Sequence, residues 1–210
     1  MDADQRTRAN PFGMDEACRN CEGLCDVRDR VVHGYGDVGA DFLLVGEAPT
    51  AASERTGVPF TGDDRGERVQ SILGTLGLNH SLPDSESPEL DNVYLTHLAR
   101  CRHPDRDPTD AEVGTCEPFL NAEIRMINPE ILIPVGQRAL TELGAEYTTT
   151  PVADLDVASL HATSVRGRGF ELVPMLDPAE QTDAQREVFV EHVLGLMSGD
   201  YRQTKGRRSR

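Results

Sequence analysis

Short apolar runs alternate with helical repeats along this chain. Phe42, Leu43, Leu44 and Val45 form an unbroken apolar run that stops at Gly46, the pattern of a strand buried on both faces of a parallel sheet. Val69, Ile72, Leu73 and Leu76 recur at i, i+3, i+4 and i+7, which predicts an amphipathic helix from Arg65 to about Gly77. A second strand follows at Val93–Leu98. Thr109 with Glu112 forms a capping box that opens a helix whose apolar face runs from Val113 to Ile127. Ile131–Val135 reads as a third strand, followed by a helix from Gln137 to about Leu143, and Phe170–Met175 as a fourth. Thr182 and Gln185 then cap a final helix through Met197. Strand and helix in strict alternation predict an α/β fold: three layers, α/β/α, around a central, mainly parallel four-stranded sheet.

The connections carry the remaining signals. Val31 and Val32, followed by a glycine-rich turn, predict a short edge strand, while residues 144–165 have no readable period. Residues 1–16 read as a polar lead-in, 17–200 as a single domain and 201–210 as a basic, flexible tail. No stretch approaches the roughly 20 apolar residues of a membrane span, and no secretory leader is evident, so a cytoplasmic protein is expected. The segment from Gly46 to Gly62, GEAPTAASERTGVPFTG, leaves the carboxyl end of the first strand, where ligand sites lie in open α/β sheets.

Charge complicates a nucleic-acid role. The chain holds 36 acidic and 21 basic residues, a net charge of -15, and Lys205 is the single lysine among the basic set. Such a surface repels phosphate at ordinary salt. Either the protein never meets DNA, or it works at molar salt, where the Debye length falls to roughly 3 Å and acidic side chains maintain solubility. The acidic residues are scattered through the chain, which favours the halophilic reading.

Five cysteines stand at 18, 21, 25, 101 and 116, as C-x₂-C-x₃-C and a later C-x₁₄-C. An odd number in a reducing compartment argues against a disulfide framework and for metal ligation. Cys101 follows a strand and Cys116 lies in the capped helix, so two segments and a loop can meet at one point. Zinc and an iron–sulfur cluster both accept such thiolates, and spacing does not separate them.

GEAP followed by G-x-PF-x-G, together with the cysteine pairs bracketing Cys101-Arg102-His103-Pro104, resembles the iron–sulfur uracil-DNA glycosylases of family 4. The resemblance runs from about Cys18 to about Val193. It implies a uracil-DNA glycosylase-like fold and a monomeric enzyme that removes uracil, or another deaminated base, from DNA in base-excision repair. It implies a [4Fe–4S] cluster, with zinc as the alternative, on Cys18, Cys21, Cys101 and Cys116, with Cys25 spare. It also assigns base contacts to the backbone at Gly46 and Glu47, stacking to Phe60, and water positioning to Glu47.

Three positions depart from the family pattern. His97 stands where an asparagine reads the base edge, Asp177 where a histidine steadies the leaving base, and Thr50 where a glycine follows GEAP. A neutral His97 still offers one donor and one acceptor to the base. Asp177 as a carboxylate would repel a base anion, but is suited to steadying the sugar cation or activating water. Altered catalysis or base preference is therefore expected, with a catalytically silent nucleic-acid-binding protein of the same fold as the alternative.

Overall fold

The computed structural model describes residues 7–199 and Tyr201. The first six residues of the lead-in and residues 202–210 of the basic tail lie outside the described residues. Among the described residues, six strands form one sheet: β1 (Tyr35–Gly36), β2 (Phe42–Gly46), β3 (Val93–His97), β4 (Ile131–Pro134), β5 (Val165–Arg166) and β6 (Glu171–Leu172). Their spatial order is β1-β3-β2-β4-β6-β5, with the four inner strands parallel and the two edges antiparallel. The sheet therefore has six strands where four were expected. The edge strands, β1 near the expected place and β5 unexpected, are two residues long each, too short to show a period of two.

Among the described residues, seven α-helices accompany the sheet: α1 (Glu22–Cys25), α2 (Ala51–Thr56), α3 (Asp64–Thr75), α4 (Asp110–Ile127), α5 (Gln137–Tyr147), α6 (Val157–Leu160) and α7 (Asp183–Ser198). Strand alternation divides the core between the two sheet faces. Phe42, Leu44, Val93, Leu95, Ile131 and Ile133 pack with Val69, Ile72 and Leu73 of α3 and Phe189 and Val193 of α7. Leu43, Val45, Tyr94 and Leu132 point the other way, onto Val113, Leu120 and Ile124 of α4 and Ala139 and Leu143 of α5. Strands so short persist because both faces are covered, each buried aliphatic side chain contributing roughly 1.5–3 kcal/mol.

Local expectations shifted in three places. The edge strand forms at Tyr35–Gly36, beyond Val31 and Val32. Phe12 and Met14, within the expected polar lead-in, are buried against Tyr94 and α4. The loop after β2 contains α2, capped by Thr50, whose Oγ1 accepts from the Ser53 amide at 3.1 Å. The threonine in place of glycine thus starts a helix.

Candidate functional site

The register of the parallel strands sets the site. Gly46 pairs with His97 across β2 and β3, so the two strands end side by side at the carboxyl edge of the sheet. A methyl group on Gly46 would lie 2.7 Å from Phe60 Cζ and 2.9 Å from His97 Cδ2, so only glycine lets both rings close over the backbone here. The Phe60 and His97 ring centroids are 4.9 Å apart with 30° between planes. No third ring fits between them at that separation.

Phe60 is held in place by its neighbours. Its φ of +55° is in the left-handed region, strained for an aromatic residue. Gln70 Nε2 donates to its carbonyl at 3.0 Å, and a methyl on Gly66 would meet that carbonyl carbon at 2.8 Å, so α3 is packed directly onto the turn. His97 is fully enclosed. Burial holds its imidazole well below the usual range, and the charges of Arg100 and Arg65 push the same way, so the ring is neutral. Its Nδ1 is buried without a hydrogen-bond partner among the described residues.

Two cavities open at Glu47, the residue that follows Gly46 in the chain. One of about 500 Å³ is lined by Glu47, Thr50, Arg65, Arg102 and His103, and one of about 410 Å³ by Glu47, Arg65, Gly136, Arg138 and Asp177. Glu47 and Arg65 belong to both. Burial pushes the Glu47 carboxyl above its usual range; Asp107 and Asp177 add to the shift, while Arg138 and Arg65 oppose it. Asp177 does not stand alone in the cavity: its Oδ2 accepts from Arg65 Nη2 at 2.7 Å.

The cysteine loop and the segment after β3 come together at Cys101. Cys18, Cys101 and Cys116 are buried, Cys21 is half-buried, and Cys18 and Cys101 pack with Leu24 and Val31. All five thiols are free of disulfides. Burial raises the Cys21 thiol, and the sulfurs of Cys116, Cys18 and, more weakly, Cys25 add to it. Cys101 is pushed up to about 11 by burial, against the opposing charge and hydrogen bond of Arg28, whose Nη1 donates to its sulfur at 3.1 Å. The thiols of Cys18, Cys21, Cys101 and Cys116 lie close enough for their charges to act on one another, and sulfur donors suit a group that stabilises thiolates. Among the described residues, no group of three or more His, Cys, Asp or Glu side chains is arranged to hold a metal ion.

Residues 33–194 match the model of the Uracil DNA glycosylase superfamily. The chain belongs to that superfamily. It is 33% identical over 159 residues to the type-4 uracil-DNA glycosylase of Sulfurisphaera tokodaii, covering 73% of this chain and 62% of that relative. To the type-5 uracil-DNA glycosylase of Thermus thermophilus it is 36% identical over 153 residues, 62% of this chain and 69% of the relative. The type-4 enzyme of Saccharolobus solfataricus is 32% identical over 127 residues, 60% of this chain and 54% of its own length. The chain thus spans between half and about two thirds of these relatives.

In this superfamily member the sequence pointed to Gly46, Glu47, Phe60, His97 and Asp177, and the structure sets Gly46 against Phe60 and His97, and Glu47 with Asp177 on one cavity. It missed the arginines that connect them. Arg65 and Asp177 are remote in the chain, and nothing local announces their pair. Arg28 follows the cysteine loop closely, and that proximity is the one available signal for its contact with Cys101. Glu54 of α2 is buried, accepts from the Asp29 amide at 3.0 Å and lies 3.8 Å from Arg102, tying the cysteine loop to the segment after β3.

Proposed function

We propose that this chain is a DNA glycosylase hydrolysing the N-glycosidic bond of uracil, or of a related deaminated base, in base-excision repair. The observation that carries this reading is Glu47 of the GEAP loop, which lines two cavities and directly follows Gly46 of the Gly46–Phe60–His97 contact, in a chain of this superfamily. The names of its relatives, type-4 and type-5 uracil-DNA glycosylases, support the same substrate.

The chemistry follows from these side chains. A target base leaves the duplex and enters the pocket, at the expense of its stacking. The Phe60 face that would receive it is covered by His97, so binding requires the imidazole to swing aside, and the neutral ring then offers its free nitrogen to the base edge. The C1′–N bond breaks with both electrons on the base nitrogen, water oxygen bonds to C1′, and the Glu47 carboxylate takes the water proton. A raised carboxyl pKa suits Glu47 to this task near neutrality.

Cys18, Cys21, Cys101 and Cys116 would hold a [4Fe–4S] cluster, with zinc as the alternative. The bound group supplies a cross-link between the loop before β1, the segment after β3 and α4. Arg28 beside Cys101 offsets the negative charge of such a thiolate set. Broad visible absorption with stoichiometric iron distinguishes the cluster from colourless zinc. A monomer working in the cytoplasm at high salt completes the reading; no described helix is long and apolar enough to cross a membrane.

The deciding experiment uses duplexes carrying uracil, hypoxanthine or xanthine in molar KCl, with strand cleavage by alkali. An abasic product from at least one supports the glycosylase. A second reading, a nucleic-acid-binding protein without activity, is favoured by the covered Phe60 ring, and binding without any abasic product would select it.

A further inference from the structure

We propose that Arg65 supplies the positive charge facing the base as it departs, with Asp177 acting as a positioning residue for its guanidinium. This rests on the glycosylase reading and adds to it the residue that meets the leaving group. When the C1′–N bond breaks, the electron pair stays on the base nitrogen, and the anion persists until a proton reaches it. Preorganised positive charge at that point is a large term in catalysis. Glu47 and Asp177, both at the cavity, have the wrong sign for it.

Arg65 has the right sign and the right place. It sits in the first turn of α3, one residue before Gly66, which is pressed against the Phe60 carbonyl, so its backbone is fixed relative to the ring pair. Its side chain lines both cavities that Glu47 lines. The 2.7 Å pair with Asp177 fixes one edge of the fork and cancels the carboxylate that would repel an anion. Its Nε is buried without a hydrogen-bond partner among the described residues, so a donor remains unused inside the site. Its charge also reaches both the His97 imidazole and the Glu47 carboxyl.

The neighbouring arginines are committed elsewhere. Arg106 holds Glu112 through two bonds at 2.7 and 2.8 Å, and Arg138 holds Asp110 and Glu142 at 2.7 and 2.8 Å. Arg102 is directed to Glu54. Asp177, read from the sequence as a replacement that would repel the base anion, becomes in this arrangement the anchor of the cation that stabilises it.

The test compares single-turnover base release from uracil and 5-fluorouracil duplexes by the full chain and its R65Q, R65K and D177N variants, with thermal melting as a folding control. Fluorouracil forms the more stable anion and needs less help to leave. R65Q is expected to slow uracil release by about 100-fold, with half-saturation within about threefold. Its defect is expected to shrink with fluorouracil, a change that a merely structural role would not produce. R65K recovers part of the rate, and D177N, which keeps the charge and loses the clamp, slows release less than R65Q. If R65Q melts below the assay temperature, R65K against the parent chain reads the same leaving-group difference. An active parent with R65Q unchanged, or with equal defects on both bases, overturns the Arg65 assignment alone. A D177N defect as large as that of R65Q overturns the division of roles. A parent inert on every duplex overturns the glycosylase reading and this assignment with it.

Discussion

Glu47 and His97 are both displaced from their ordinary ionisation, in opposite senses, and each displacement has a measurable sign. Burial raises the Glu47 carboxyl, with Asp107 and Asp177 adding to it, so a carboxylate acting as base is lost as pH falls. The acid limb of the base-release rate is therefore expected at an apparent pKa above 4.5, and E47Q should remove the limb together with about 10²–10⁴ of the rate. His97 is buried neutral, its folded pKa below the unfolded value of 6.5. Between the two values the unfolded chain binds the extra proton, so stability is full above pH 6.5 and falls as the solution is acidified. Melting measured from pH 7.5 to 5 should show the decline, and H97N should flatten it; His33, also lowered by burial, leaves a residual slope. The same H97N variant removes the imidazole from the Phe60 ring. If His97 gates the stacking face, half-saturation for uracil duplex falls.

Among the elements, the segment after β3 and α4 are joined by a buried ion pair that no periodicity announces. Arg100 Nη2 lies 2.6 Å from Glu123 Oε2 with both side chains almost wholly enclosed. Glu123 also accepts from Thr96 Oγ1 at 2.7 Å, Tyr94 OH at 3.1 Å and the Gly34 amide at 3.2 Å, so one carboxylate joins α4, β3 and the turn before β1. Arg100 immediately precedes Cys101, and its carbonyl accepts from the Val32 amide at 2.8 Å, which fixes the start of the cysteine segment. Glu123→Ala strands a buried guanidinium and should destabilise the protein by about 3–5 kcal/mol in denaturant titration. Within the cysteine site, C116S should abolish the visible absorption expected of a cluster and lower the melting temperature, whereas C25S should leave the absorption intact.

At the scale of the whole molecule, a net charge of -15 makes the folded state repel itself at low ionic strength. Screening at molar salt, where the Debye length is roughly 3 Å, should raise the melting temperature steadily as KCl increases from 0.1 to about 2 M. A flat or falling curve would remove the halophilic reading. The order of strands and main helices, both capping boxes and the parallel core were legible in the residues because buried faces impose a period and caps depend on neighbours three residues apart. The exact place of the two-residue edge strand β1 and the existence of β5 were not, since such strands are too short to carry a period and are stabilised by pairing with other strands. So it was with the site: Gly46, Glu47, Phe60, His97 and Asp177 stood out by motif, but the stacking of His97 on Phe60 follows from the β2–β3 register. The joining of Arg65 to Asp177 likewise depends on where α3 and the end of the sheet meet. Local sequence determined which elements form and which chemical groups they carry. Only tertiary packing decided which charges face each other, because an ion pair is set by distance in space and by burial, and neither can be read from separation along the chain.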